Sequence, residues 1–291
     1  MDFKVSVVIP AFNGQRILAK NLPQVMKLEA DEVIIVDDAS TDNTVSFLSR
    51  NYSQIKLVRH FHNTRFPQTV NDGFRQATGD VVILLNQDAS PHPDLLKNML
   101  PHFKDKKLFS VTFNAQTQSW AKGSFKNGFL GFTNGEIDNK IHYSLWGSGG
   151  GAAFRKSIWK ELGGLDTLFT PGYFEDLDIG FRAQKRGYLI IWEPKAIISH
   201  PHPESTYKKA LPPNYLSLIK ERNYLLVQWK NLDTFSLSQH LPALLARIFF
   251  HPGFIRPVLM ALEHLPNIVR FRLSERSYLK VTDENLFAKF N

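Results

Sequence analysis

Within residues 1–85, short β-branched runs alternate with segments of helical spacing, and few folds accept that order. Val5-Ser-Val-Val-Ile9 is an apolar run halted by Pro10, Ile17 to Leu28 carries apolar residues at helical spacing, and Glu32-Val-Ile-Ile-Val36 is a second apolar run. Strand, helix and strand in succession form a βαβ unit. Runs that are apolar at nearly every position mark strands covered on both faces. The alternation continues with a helix near Thr44–Asn51, a strand at Lys56–Arg59, a helix at Pro67–Ala77 and a strand at Val81–Leu85. Thr78-Gly-Asp80 fits a helix stop. The pattern predicts an α/β domain on a mainly parallel sheet flanked by helices.

In open parallel sheets, ligands sit outside the carboxyl ends of the strands. The residues that follow the strands are Pro10-Ala-Phe-Asn13, Asp37-Asp-Ala-Ser40 and Asn86-Gln-Asp-Ala89. Polar groups at three such ends point to one crevice. Asp37 and Asp38 have a second reading, as caps for the helix opened by Ser40-Thr-Asp42, and the two roles are compatible.

Composition narrows the partners. The formal charge of +8 favours anionic ones: nucleotides, nucleic acid or an anionic membrane surface. The aromatics fall in apolar patterns rather than in a basic stacking surface, so nucleic acid is not expected. The chain has no cysteine, which excludes disulfides and thiolate metal sites. No run reaches the roughly 20 apolar residues needed to span a bilayer. The apolar stretch at Val5–Pro10 is too short for a signal peptide, so a cytoplasmic chain is expected.

The middle of the chain is less regular. Trp146-Gly-Ser-Gly-Gly-Gly-Ala-Ala-Phe154 has four glycines between Gly147 and Gly151, which permits close backbone approach. It matches neither the G-x-G-x-x-G spacing of a nicotinamide-binding oxidoreductase nor a phosphate-binding P-loop. Beyond Pro212 the texture turns helical, at Tyr215–Lys230, Leu237–Phe250 and Phe254–Leu273, with arginines beside an apolar stripe. Two readings stay open there: a basic amphipathic region on an anionic membrane, peripheral to its inner face, or helices packed on the domain. The expected division is a catalytic domain over residues 1–212 and a helical region over 213–291.

Glu175, Asp176 and Asp178 crowd into Tyr-Phe-Glu-Asp-Leu-Asp-Ile-Gly-Phe-Arg (173–182). On a helix starting near Glu175, residues two apart lie about 200° apart around the axis, so Asp176 and Asp178 cannot share one pocket. Asp178 has Arg182 four residues on, a favourable helix pair. Asp176 has no such partner in the sequence.

Taken in order, V-V-I-P-A-F-N, V-D-D-A-S-T-D, L-N-Q-D-A, G-G-G-A-A-F-R, F-E-D-L-D-I-G-F-R and H-P-H-P-E-S-T resemble family 2 glycosyltransferases. The likeness is strongest to bacterial rhamnosyltransferase-like members that build cell-surface polysaccharide. The resemblance implies the GT-A fold, a Rossmann-like mixed and mainly parallel sheet, here with a C-terminal helical extension. It also implies inverting transfer from a nucleoside-diphosphate sugar, dTDP-rhamnose or a UDP-sugar, to a saccharide or lipid-linked acceptor. Asp176 then stands where the family places its base. Asp88, with His200 or His202 and His200 preferred, would hold Mg2+ or Mn2+. Asn86 replaces the first Asp of the family's metal motif, which implies a looser site. Pro10, Ala11, Phe12, Asp38, Asn86, Gln87 and Asp88 would contact the donor. Gly149, Gly150 and Gly151 would line the sugar pocket, and Glu175 would orient the acceptor or hold that glycine loop. The Arg222-Asn223 and Lys230-Asn231 pairs are similar to the family's helical segment beyond the core. The alternative is a non-catalytic nucleotide-sugar-binding or scaffold protein on the same fold.

Overall fold

The structure, a computed structural model, describes residues 3–116, 120–200 and 212–290. Its first half is β1 (Val5–Ala11), α1 (Gln15–Met26), β2 (Glu32–Asp37), α2 (Thr44–Asn51), β3 (Lys56–Arg59), α3 (Phe66–Gln76) and β4 (Val81–Leu85). These ends fall within two residues of those read from the pattern. Next come β5 (Ser90–Pro91), α4 (Leu95–Met99), β6 (Leu108–Asn114), the hairpin β7 (Ala121–Lys126) and β8 (Phe129–Asn134), then β9 (His142–Tyr143) and β10 (Gly151–Arg155). The chain continues through α5 (Lys156–Leu162), α6 (Glu175–Lys185) and β11 (Leu189–Ser199). The C-terminal helices are α7 (Pro213–Asn231), α8 (Thr234–Phe250), α9 (Ile255–Leu262), α10 (Leu265–Glu275) and α11 (Asp283–Phe287).

The main sheet has the order β3-β2-β1-β4-β10-β6-β11-β5, with β9 paired to β11. The first four strands run parallel, and β10 enters antiparallel between β4 and β6. The run Val5 to Ile9 splits by strand alternation. Val5, Val7 and Ile9 pack with Leu18, Leu22 and Val25 of α1, whereas Val8 packs with Val70 and Phe74 of α3 on the other face.

Two elements depart from the sequence reading. The irregular middle contains β6, whose Ser110 and Thr112 are buried polar residues within an otherwise apolar strand. Thr112 Oγ1 accepts from the Ser148 backbone N–H at 3.1 Å, so the polar positions of β6 face the glycine segment. The single helix expected over Phe254–Leu273 is two, α9 and α10, with His264 at the N-cap position of the second. Pro266 in the first turn of α10 lacks the N–H that a continuous helix would need there.

A third apolar cluster joins Leu145, Phe181 and Trp192 to Leu225, Leu226 and Leu232, so the core is continuous across residue 212. Polar contacts reinforce the joint. Asp178, fully buried in α6, accepts from Arg182 Nε at 2.8 Å, Lys230 Nζ at 2.9 Å and Asn231 Nδ2 at 2.8 Å. Burial alone would raise the Asp178 pKa, but the Arg182 and Lys230 charges and the Asn231 hydrogen bond together hold it below the ordinary aspartate value. Asn223 Nδ2 donates to the carbonyls of Phe169, Gly172 and Tyr173, and Arg222 Nη2 to that of Thr170. Helix α7 therefore grips both α6 and the loop that leads into it.

Removing Asp178 would leave Arg182 and Lys230 buried without their shared carboxylate. Asp178→Ala is expected to cost about 3–5 kcal/mol, read as a lowered midpoint in urea denaturation. A midpoint within about 1 kcal/mol of wild type would show that the network does not hold α6 to α7.

Candidate active site

The carboxyl ends of β1, β2 and β4 meet as expected. The Asp38 N–H donates to the Ala11 carbonyl at 2.8 Å. Phe12 and Gln87 pair like two amides, with Phe12 N–H to Gln87 Oε1 at 3.2 Å and Gln87 Nε2 to the Phe12 carbonyl at 3.3 Å. The Gln87 side chain, expected to contact donor, thus joins the ends of β1 and β4. Asn13, with φ 48°, accepts from the backbone N–H groups of Thr41 and Asp42 and ties the β1 end to the loop after β2.

Asp38 is likewise engaged within the fold. Its Oδ1 lies 2.9 Å from His60 Nδ1 and accepts from the Thr64 N–H at 2.7 Å and its hydroxyl at 3.0 Å, while Oδ2 accepts from the Arg65 N–H at 2.9 Å. These bonds hold the loop ahead of α3, where Arg65 adopts φ 73° and ψ 167°, a region that side chains other than glycine rarely occupy. Its neighbour Asp37 keeps a buried Oδ1 with no hydrogen-bond partner among the described residues. The N-cap of α2 is Asn43, which makes no side-chain cap bond, and Asp42 just before it accepts from the Thr44 N–H at 2.9 Å through Oδ1.

The glycine segment joins two chemical corners. In the first, His200 Nε2 lies 3.1 Å from Asp88 Oδ1 and 3.4 Å from Asn86 Nδ2. A Cβ at Gly150 would come within 2.7 Å of His200 Cε1 and 3.3 Å of Asn86 Nδ2, so a larger residue there would displace the His200 ring. In the second corner, the Gly149 N–H donates to Asp176 Oδ2 at 3.2 Å, and a Cβ at Gly149 would touch Phe66 and Asp176. Asp176, rather than Glu175, holds the loop. Gly151 begins β10 and packs against Ile198 of β11, which fixes the loop's far end.

Asp88 and His200 offer one carboxylate and one imidazole side by side. Among the described residues no group of three or more His, Asp or Glu side chains is arranged for a metal ion. The pair fits a divalent ion that takes its remaining ligands from water or phosphate oxygens, as Mg2+ and Mn2+ sites commonly do. The rival ligand His202 lies outside the described residues.

Glu175 and Asp176 open α6, preceded by Tyr173 and Phe174 at φ 74° and 75°. Two successive side chains in that region cost of order 1–3 kcal/mol each, and the Asn223 and Arg222 bonds to residues 169–173 hold them there. Glu175 is buried, and its Oε2 has no hydrogen-bond partner among the described residues. Desolvation first, and the neighbouring Asp176 charge second, push the Glu175 pKa up to about 8. Asp176 is only half-buried. Desolvation raises its pKa too, opposed by the N–H groups of Gly149 and Leu177. Burial thus drives both acids toward their neutral forms, and of the two Asp176 has both carboxylate oxygens hydrogen-bonded to backbone N–H groups, at a half-open position. Sequence reasoning missed Phe66, Thr112 and the loop 60–65, all of which reach the site through long-range contacts that spacing does not encode.

The sequence model described as glycosyl transferase family 2 matches residues 6–163. Poly-β-1,6-N-acetyl-D-glucosamine synthase of Staphylococcus aureus (strain COL) is 27% identical over 213 residues, covering 66% of this chain and 48% of that protein. The probable glycosyltransferase YdaM of Bacillus subtilis (strain 168) is 27% identical over 224 residues, 69% of this chain and 51% of its own length. The chain thus spans about half the length of these curated relatives. Among solved structures, GalNAc-T7 with UDP, GalNAc and Mn2+ superposes with a TM-score of 0.66 at 17% identity, over 80% of this chain and 49% of that one. The mannosyltransferase PcManGT of Pyrobaculum calidifontis, in complex with GDP-Man and Mn2+, gives 0.58 at 17% identity over 96% and 85%. At such identity the likeness establishes the GT-A fold alone, while the family match over more than half the sequence establishes kinship: this chain belongs to glycosyl transferase family 2.

Proposed function

We propose that the chain is an inverting glycosyltransferase that moves a sugar from a nucleoside-diphosphate donor, dTDP-rhamnose or a UDP-sugar, to a hydroxyl of a saccharide or lipid-linked saccharide in cell-surface polysaccharide synthesis. One observation carries this reading. The glycine loop has the Asp88–His200 pair at one side and the Asp176 carboxylate at the other, which are the two sides that a single displacement with inversion requires.

In this mechanism Asp176 Oδ takes the proton of the acceptor hydroxyl as the acceptor oxygen bonds to the anomeric carbon. The bond from that carbon to the diphosphate oxygen breaks on the opposite face, and its electron pair leaves with the diphosphate. Asp88 and His200 would hold Mg2+ or Mn2+, which supplies charge stabilisation to the leaving diphosphate when bound. Asn86 adds an amide beside that pair. Pro10, Ala11 and Phe12 frame the donor base. Asp38 acts on the donor chiefly by fixing the 60–65 loop, and Oδ2 retains acceptor capacity for a ribose hydroxyl. Gly149, Gly150 and Gly151 leave room for the sugar, and Glu175, with its pKa pushed up to about 8, adds little negative charge beside Asp176 near neutral pH. The relatives' names support polysaccharide chemistry, and the neighbours' ligands support a nucleotide-sugar donor with Mn2+.

Asp176→Asn is expected to lower kcat by about 10²–10⁴-fold with donor affinity unchanged, measured by product formation and by donor titration. Turnover at the wild-type rate would overturn the base assignment. Asp88→Ala is expected to abolish the Mn2+-dependent part of donor binding in calorimetry run with and without the ion. Equal Mn2+ enhancement in both proteins would remove Asp88 from the metal site.

Glu175 binds its proton more tightly in the folded chain, with a pKa of about 8, than in the unfolded chain, where the ordinary value of 4.5 applies. Between those values the native state holds a proton that the unfolded chain has released, so stability falls as pH rises through the window. Glu175→Gln should flatten that slope in urea midpoints measured from about pH 5 to about pH 8. An unchanged slope would place the proton elsewhere.

A further inference from the structure

Helices α8, α9 and α10 turn one side inward and leave an apolar ridge on the other. Their inner residues Leu244, Val258 and Ile268 are buried in the cluster around Trp192. On α8, Leu241, Leu245 and Phe249 follow each other at four-residue spacing and face solvent, Leu245 at 68% and Phe249 at 78% exposure. The pattern repeats as Ile255, Leu259 and Leu262 on α9, and as Leu265, Val269 and Leu273 on α10. Solvated helices carry charge on their outer face. In α8 the sole Lys, Arg, Asp or Glu is Arg247, and its guanidinium lies 3.9 Å from the Phe254 ring, turned toward the body of the protein.

The charges at the edges of these ridges have one dominant sign. Residues 234–280 hold six Lys and Arg against two Asp and Glu. Arg256, Arg270, Arg276 and Lys280 are exposed, whereas Glu275 is tied to Arg186 and leaves Glu263 as the exposed acid. A second copy meeting this surface face to face would set like basic rims against each other. Among the described residues no helix is long and apolar enough to cross a membrane.

We propose that the outer ridges of α8, α9 and α10 seat the protein in the interface of a bilayer bearing anionic headgroups, with the apolar side chains at the acyl boundary and the arginines among the phosphates. The three consecutive ridges supply the apolar area, and the basic rim selects the anionic surface. This goes beyond the glycosyl-transfer reading and does not depend on it, because the readout is binding rather than turnover.

Flotation of the full chain with vesicles of phosphatidylglycerol and phosphatidylethanolamine tests it, against vesicles of phosphatidylcholine. Wild type is expected to float with the anionic vesicles and to be released by salt. Leu245→Glu with Phe249→Glu should cut partitioning at least tenfold, roughly the effect of two large apolar groups lost from the interface. Arg256→Glu with Arg270→Glu should cut it about twentyfold on anionic vesicles alone. All four side chains are exposed, so thermal melts should match wild type; a variant that melts early is replaced by the milder Leu245→Ser with Phe249→Ser. The proposal is overturned if wild type stays with the soluble fraction, or if folded variants float as wild type does. A dimer in light scattering that the glutamates dissolve, with no vesicle binding, would assign the face to a second copy and equally overturn it. Protein that floats but transfers no sugar would overturn only the proposed activity.

Discussion

Asp178 is an ionised carboxylate with no exposed surface, and its bonds to Arg182, Lys230 and Asn231 lock α6 to α7. Because α6 opens with Glu175 and Asp176, the same lock sets where those acids stand. The strained turn ahead of them, Tyr173 and Phe174, is clamped by Asn223 and Arg222 from the same helix α7. A helix outside the sheet thereby fixes one wall of the crevice within it. The region beyond residue 212 supports the site before it does anything of its own.

Three neighbouring acids in one helical turn have three different environments. Asp178 meets two cations and stays charged, Glu175 meets neither a cation nor a hydrogen-bond donor at Oε2 and is driven toward its neutral form, and Asp176 accepts two backbone N–H groups at a half-open position. Burial alone would raise all three; partners decide the outcome. The glycine segment then carries Asp176 to the Asp88–His200 corner through two peptide units. That short bridge brings Asp176 to groups that lie 88 and 24 residues from it in the chain.

The strands β1 to β4 were legible because continuous apolar runs have few other uses. The separation of Asp176 from Asp178 was legible too, since helical angle and an i+4 arginine are local facts. Strand β6 was not, because Ser110 and Thr112 break its apolar run and their partner is a glycine loop met only in three dimensions. For Asp38 and Gln87 the resemblance implies donor contacts, and nothing local announces the hydrogen bonds they also make across 22–27 and 75 residues of sequence. Local spacing reports what a segment wants, and says little about which distant group will satisfy a polar side chain.

The central claim is that the glycine loop divides a metal and diphosphate wall, at Asp88 and His200, from a base wall at Asp176. A crystal structure with a nucleoside diphosphate and Mn2+, with the ion located by its anomalous scattering, measures this directly. The account predicts Mn2+ within about 2.5 Å of Asp88 and His200 and bonded to the diphosphate, with Asp176 free of metal across the loop. Mn2+ bound to Glu175 or Asp176, or a diphosphate lying against Asp176, would contradict it.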